Sequence, residues 1–192
     1  STIAELVNLE MLEVLALLPR VLVTPQTKLM LQARVTEANN SRKVGTAAEF
    51  EGRLAIVEWA ESYRRREVEF SGALLDVVER YCTVQPAYGE CPSEGQFSGL
   101  REALQPEELE MLLLAQSTDA TALSMDGRLR HLLYQVAAIP GIFPQALLMH
   151  GVRTGAIGLP RSAEITARLY VSHRSFVALR SEDLLWMVMQ GG

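Results

Sequence analysis

The chain has 192 residues, of which 48% are hydrophobic and 21% charged, and its formal net charge is −5. That length matches the roughly 100 to 200 residues of one domain with a substantial core. The acidic balance excludes a surface that is electropositive throughout, the usual means of non-specific nucleic-acid capture, but leaves room for local basic patches.

The opening Ser1-Thr2-Ile3-Ala4-Glu5 lacks both an initiator Met and the residue order of a signal peptide, so it reads as an internal cut or a processed end of something larger. Apolar residues at helical spacing predict a helix over Ile3–Leu18, stopped by Pro19. Val21-Leu22-Val23 reads as a short buried strand, and Thr24-Pro25 opens a second helix that runs to about Thr36. Asn39-Asn40-Ser41 marks a loop. Lys43–Thr46 and Leu54–Trp59 then read as paired strands joined through Ala47–Gly52.

A helical period returns over Val68–Tyr81, and Thr83-Val84-Gln85-Pro86 follows as a strand that Pro86 ends. Ala87–Gly95 is the least ordered stretch by composition, and Phe97–Leu104 reads as a short helix. Next come helix Pro106–Gln116, strand Ala120–Leu123, helix Gly127–Ala137, a short Ile139–Phe143 segment, and helices near Pro144–Gly151 and Arg161–His173. A last strand, Phe176–Leu179, precedes helix Glu182–Met189 with Ser181 as its cap. Alternation of helices with short hydrophobic strands predicts an α/β fold with a mainly parallel sheet covered on both faces. Leu12–Leu18 and Met111–Ala115 fall short of the roughly 20 apolar residues of a membrane span, so no membrane partner is expected.

The chemistry-bearing stretch is Glu107–Arg130. Glu107, Glu108 and Glu110 open a helix, and Asp126 ends the strand Ala120–Leu123 before the next helix begins. Ligands bind at such strand ends in α/β sheets. The same residues also have a structural reading: acids in a first turn are favoured by the helix dipole, and Asp126-Gly127 makes a turn and cap. Arg64-Arg65-Arg66 is the densest basic cluster, and Arg128, Arg130 and His131 form another after the Asp126 turn. Cys82 and Cys91 are too few and too far apart for a zinc module and read as free thiols in a reducing cytoplasm. His131, His150 and His173 show no metal-ligand spacing, and Trp59 and Trp186 read as core residues rather than base-stacking platforms. There is no nucleophilic triad context and no Gly-rich phosphate loop.

The acidic Leu/Ala-rich helix, then ALSMDGRLRHLL, GIFPQALLMHGVRTGAIG and FVALRSEDLLW, resembles a PIN-like domain. The closest likeness is to the bacterial variety found in large multidomain proteins with tetratricopeptide or transcription-elongation-factor-like segments. The resemblance is strongest over Glu107–Trp186 and weaker, though consistent in order, over Ile3–Tyr81. It implies a three-layer α/β/α sandwich with a central mainly parallel sheet, here with an inserted β-hairpin, spanning residues 1–192 as one domain. Active members of the family are Mg²⁺- or Mn²⁺-dependent ribonucleases, whose acids hold a cation that orients water against a phosphodiester.

Carried over by position, the resemblance implies Asp126 and Glu108 as catalytic metal ligands, Ser124 as a supporting hydroxyl, and Gln32 as a neutral stand-in for an acid of the second helix. Asp119, at the other end of its strand, is left out of the site. The sequence departs from the family in three ways. An Asp expected just ahead of the first helix is not among these residues, Gln32 supplies no charge, and the doubled acid of the turn is Met125-Asp126. Two acids hold hydrated Mg²⁺ or Mn²⁺ only weakly. The expectation is therefore a domain with weak or lost nuclease activity. The alternative is a non-catalytic module that docks protein or RNA within a larger bacterial assembly. Expected partners are RNA and other domains of the parent protein, in the cytoplasm. A homodimer stays open because Leu147-Leu148-Met149 reads equally as core or subunit contact.

Overall fold

A computed structural model describes residues 2–40, 45–50, 53–58, 61–88, 104–172 and 177–190. Helix α1 spans Thr2–Asn8 and a 3₁₀ turn spans Leu12–Leu17, where the apolar spacing predicts one helix over Ile3–Leu18. The break is a Schellman-type stop: Met11 N–H donates to the Leu6 carbonyl, Glu10 N–H donates to the Val7 carbonyl, and Glu10 takes a left-handed φ of 53°. The apolar period survives the break. Leu6, Leu9, Met11, Val14 and Leu15 are all buried.

Strand β1 (Val21–Val23) leads into α2 (Pro25–Asn40), where the Thr24 hydroxyl accepts the Thr27 N–H at 3.2 Å, as the cap reading predicts. The helix outlasts the predicted end at Thr36, so Asn39 and Asn40 are helical. Strands β2 (Gly45–Phe50) and β3 (Arg53–Glu58) pair antiparallel, with Gly45 opposite Glu58 and Phe50 opposite Arg53. Ala47–Phe50, expected as connection, is thus paired strand. Lys43 and Trp59 lie outside the described residues.

Helix α3 (Glu61–Tyr81) starts about two turns ahead of its expected beginning and takes in the Arg64-Arg65-Arg66 cluster. It buries Ser71, Leu74, Val77 and Val78 at helical spacing and leads directly into β4 (Cys82–Val84). β4 pairs with β1 in parallel, Val21 opposite Cys82 and Val23 opposite Val84. The helix expected over Phe97–Leu104 and Cys91 fall outside the described residues, apart from Leu104, which is buried.

Helix α4 (Pro106–Thr118) stops at Asp119 with φ 52°, and β5 (Ala122–Leu123) follows. Helix α5 (Gly127–Ala137) ends at Ala138 with φ 53°, and β6 (Gly141–Ile142) pairs with β5 in parallel. Helices α6 (Pro144–Arg153), α7 (Leu159–Val171) and α8 (Ser181–Gln190) complete the described chain. Val177–Leu179 is not a strand. The main chain of Ala178 pairs instead with the Gln145 side chain, and Phe176 and His173 lie outside the described residues. Nor does Ser181 cap α8: the Asp183 carboxylate accepts the Arg180 N–H at 3.2 Å, and Arg180 contributes the first helical carbonyl.

The described residues therefore form an α/β arrangement, mostly helical, with three two-stranded sheets: β1–β4, β2–β3 and β5–β6. The largest core cluster joins Leu6, Leu9, Met11, Val14 and Leu15 to Val77, Leu147, Leu148, Ile157, Ile165 and Leu169, with Val21, Leu123, Met125 and Ile142 packed against it. Each fully buried Leu or Ile there contributes roughly 1.5–3 kcal/mol. Leu147 and Leu148 are core residues, while Met149 is exposed. A second cluster under α4 and α5 holds Leu104, Leu112, Ala115, Ala122, Leu133 and Ile139. Strand β5 lies against both clusters, which fixes the turn that follows it. No helix among the described residues is long and apolar enough to cross a membrane.

Candidate functional site

The turn after β5 is built from the main chain outward. Ser124 is buried; its N–H donates to the Ile142 carbonyl, extending the β5–β6 pairing, and its hydroxyl accepts the Asp126 N–H at 3.0 Å. That bond bends the chain so that Asp126 becomes the cap of α5, its Oδ1 accepting the N–H groups of Arg128 at 2.7 Å and Leu129 at 3.2 Å. Asp126 is exposed. The Ser124 hydroxyl thus shapes the turn that carries Asp126.

Glu108 sits three residues into α4, behind Pro106, and its Oε2 accepts the Gln105 N–H at 2.9 Å. This is the reciprocal half of a capping box, in which a carboxylate reaches back to the start of its own helix. Asp126 and Glu108 share no hydrogen-bonding partner. Gln32 lies mid-way along α2, exposed, and its carbonyl accepts the Thr36 hydroxyl at 2.9 Å. The structure brings Ser124 to Asp126 and leaves Glu108 and Gln32 on separate helices.

Two features beside the turn were not read from the sequence. The Arg130 guanidinium lies over the Phe143 ring, 5.1 Å from its centroid, and donates to the Ser124 carbonyl. A Cβ on Gly141 would sit 2.7 Å from the Arg130 Cβ, so glycine there lets α5 close on β6. The Pro140-Gly141 pair was the available signal, since glycine in a strand often marks a close approach.

Charge is organised most tightly elsewhere. Arg161 bonds Glu13 at 2.6 Å and Glu164 at 2.8 Å and donates to the Glu10 carbonyl; Arg168 pairs with the Glu10 and Glu164 carboxylates. Hydrogen bonding to Glu13 raises the Arg161 guanidinium above its ordinary value, and the bond from Arg161 lowers the Glu164 carboxyl. Buried Asp183 receives Arg180 through both carboxylate oxygens and raises its guanidinium likewise. The first set ties α7 to the Glu10–Glu13 corner, and Arg180 reaches the Ser162 hydroxyl of α7 at 3.4 Å. Burial pushes the Cys82 thiol up to about 11, so it is not a thiolate at neutral pH.

Among the described residues no three His, Cys, Asp or Glu side chains are grouped to hold a metal ion. Asp126 and Glu108 each cap a different helix, so the described residues do not assemble the cluster of three or four carboxylates that a PIN nuclease uses to hold its dication.

A family model described as a PIN domain associated with the TPR-GreAB-C-PIN system matches residues 1–134. The match takes in Gln32, Glu108, Ser124 and Asp126, and it covers the amino-terminal part of the chain, where the resemblance read from the sequence was the weaker. No curated protein and no solved structure matches the chain.

Proposed function

The chain belongs to the PIN domain family associated with the TPR-GreAB-C-PIN system, and we propose from that membership that it is a PIN-type nuclease-like domain whose cleavage activity is weak or lost. In this reading the scaffold engages RNA within a larger bacterial, cytoplasmic assembly. The two parallel strand pairs are portions of the family's central sheet between helical layers, and β2–β3 is an insertion. The observation that carries the reading is the engagement of both Asp126 and Glu108 as helix caps. Capping takes up Asp126 Oδ1 and Glu108 Oε2 and seats the two carboxylates at the starts of different helices, and two acids alone retain hydrated Mg²⁺ or Mn²⁺ only weakly. Ser124, Asp126 and the start of α5 then act as a rigid corner.

Asp126→Asn is the informative variant. Asn caps a helix about as well as Asp, so it removes charge without removing the cap. Titration of Mn²⁺ into the domain and into Asp126→Asn, followed by calorimetry, is expected to give nil or identical heats. Labelled RNA in Mn²⁺ is expected to stay intact or to be cut slowly and equally by both proteins. A heat signal lost in Asp126→Asn together with rapid wild-type cleavage would restore an active nuclease and overturn the proposal.

A further inference from the structure

We propose that single-stranded RNA is held along the outer face of α5 by Arg128, His131 and Tyr134; this rests on the RNA reading above and assigns it a surface. Arg128, His131, Tyr134 and Gln135 are all exposed, while Leu133 is buried and Leu129, Leu132 and Val136 pack on the core. At 3.6 residues per turn and about 1.5 Å rise per residue, these four side chains form one stripe about 10 Å long.

The charge of the stripe asks for an external anion. In a chain of net charge −5, Arg34, Arg64, Arg161, Arg168 and Arg180 each pair with a carboxylate at 3.1 Å or less. Among the described residues neither Arg128 nor His131 has one, and the same is true of the exposed Arg65, Arg66, Arg80 and Arg153. The adjacent acid, Asp126, is turned onto the first N–H groups of the same helix, and the other acids of a packed element, Glu107, Glu108 and Glu110, belong to α4. Arg130 is committed inward, to Phe143 and the Ser124 carbonyl, so it steadies the helix rather than reaching outward.

Tyr134 sets the class of polyanion. Tyr134 is 64% exposed, one turn beyond His131. An exposed aromatic beside a guanidinium and an imidazole donor is the arrangement that stacks an unpaired base while the polar groups meet phosphate, and it tolerates any base. A duplex offers no free base face to that ring.

The test is fluorescence anisotropy of a labelled oligouridine of about 16 nucleotides, in chelator-containing buffer so that binding is read without cleavage. Tyr134→Ala is expected to weaken binding about tenfold or more, with Tyr134→Phe close to wild type. Arg128→Gln is expected to weaken it and to flatten the log–log salt dependence by about 0.7. Arg65→Gln, an exposed cation on α3, serves as the control and is expected to leave binding unchanged. All three positions are on the surface, and circular dichroism confirms folding. If wild type binds and these variants bind equally, the stripe is wrong while the RNA reading stands. If wild type binds no RNA, or binds polyglutamate through the same residues instead, the RNA reading falls and the stripe with it.

Discussion

The side-chain amide of Gln145 and the main chain of Ala178 exchange two hydrogen bonds: Nε2 donates to the Ala178 carbonyl at 2.7 Å, and the Ala178 N–H donates to Oε1 at 3.0 Å. One buried glutamine thereby does for this segment what a neighbouring strand would do. Gln145→Leu should destabilise the protein by about 1–3 kcal/mol, because two main-chain groups lose their partners. Gln145→Glu should be worse than Leu, since it sets a buried carboxylate against a carbonyl oxygen. Urea denaturation of the three proteins checks the order, and a Glu variant as stable as wild type would refute it.

The Glu164 carboxyl is held low chiefly by its hydrogen bond from Arg161. A carboxyl that is more acidic in the folded state stabilises above its unfolded value, about 4.3, and loses that contribution as pH falls through the folded value. The urea midpoint of Glu164→Gln should therefore lie below that of wild type from neutral pH down to about 5, and the gap should close as the pH drops below about 4. A gap that stays constant into acid would remove the ion pair from the explanation.

Ala138 ends α5 with φ 53°, and a left-handed residue with a Cβ costs about 1–2 kcal/mol. Glycine lowers that strain but loses more chain entropy on folding, about 0.5–1 kcal/mol. Ala138→Gly is thus expected to stabilise by about 0.5–1 kcal/mol, read as a higher thermal midpoint.

Removal of the cap at the β5 turn gives a matching pair. Asp126→Ala should cost about 0.5–2 kcal/mol, while Asp126→Asn should stay within a few tenths of wild type. Equal losses in the two variants would mean that the negative charge, rather than the hydrogen bonds to Arg128 and Leu129, is what matters.

Much of the fold was legible because its signals are local. The Thr24-Pro25 opening, the Gly127–Ala137 helix and the short strands around Val21–Val23 and Ala122–Leu123 follow from caps and apolar spacing alone. What failed depended on distant partners. The stop at Glu10 carries no glycine, and the two arginines that hold it come from α7; the final strand is missing because its partner is a side chain on α6. At the candidate site the sequence allowed two uses of the same acids, cap or metal ligand, and the cap is the one the hydrogen bonds show. An acid at a helix start reads the same in sequence whether it binds a cation or the helix itself, and only hydrogen bonds separate the two.

The left-handed Glu10 and the core above it also bear on where the folding unit ends. Leu6, Met11 and Val14 are covered by Leu148, Ile165 and Leu169, and Arg161 and Arg168 clamp the same corner from outside. The stretch that identifies the family stops at residue 134, short of every one of those covering groups. A gene fragment trimmed to the recognisable signature would strip the first helix of its lid and yield a sticky, poorly cooperative polypeptide. Kinship and foldability thus have different borders in this chain.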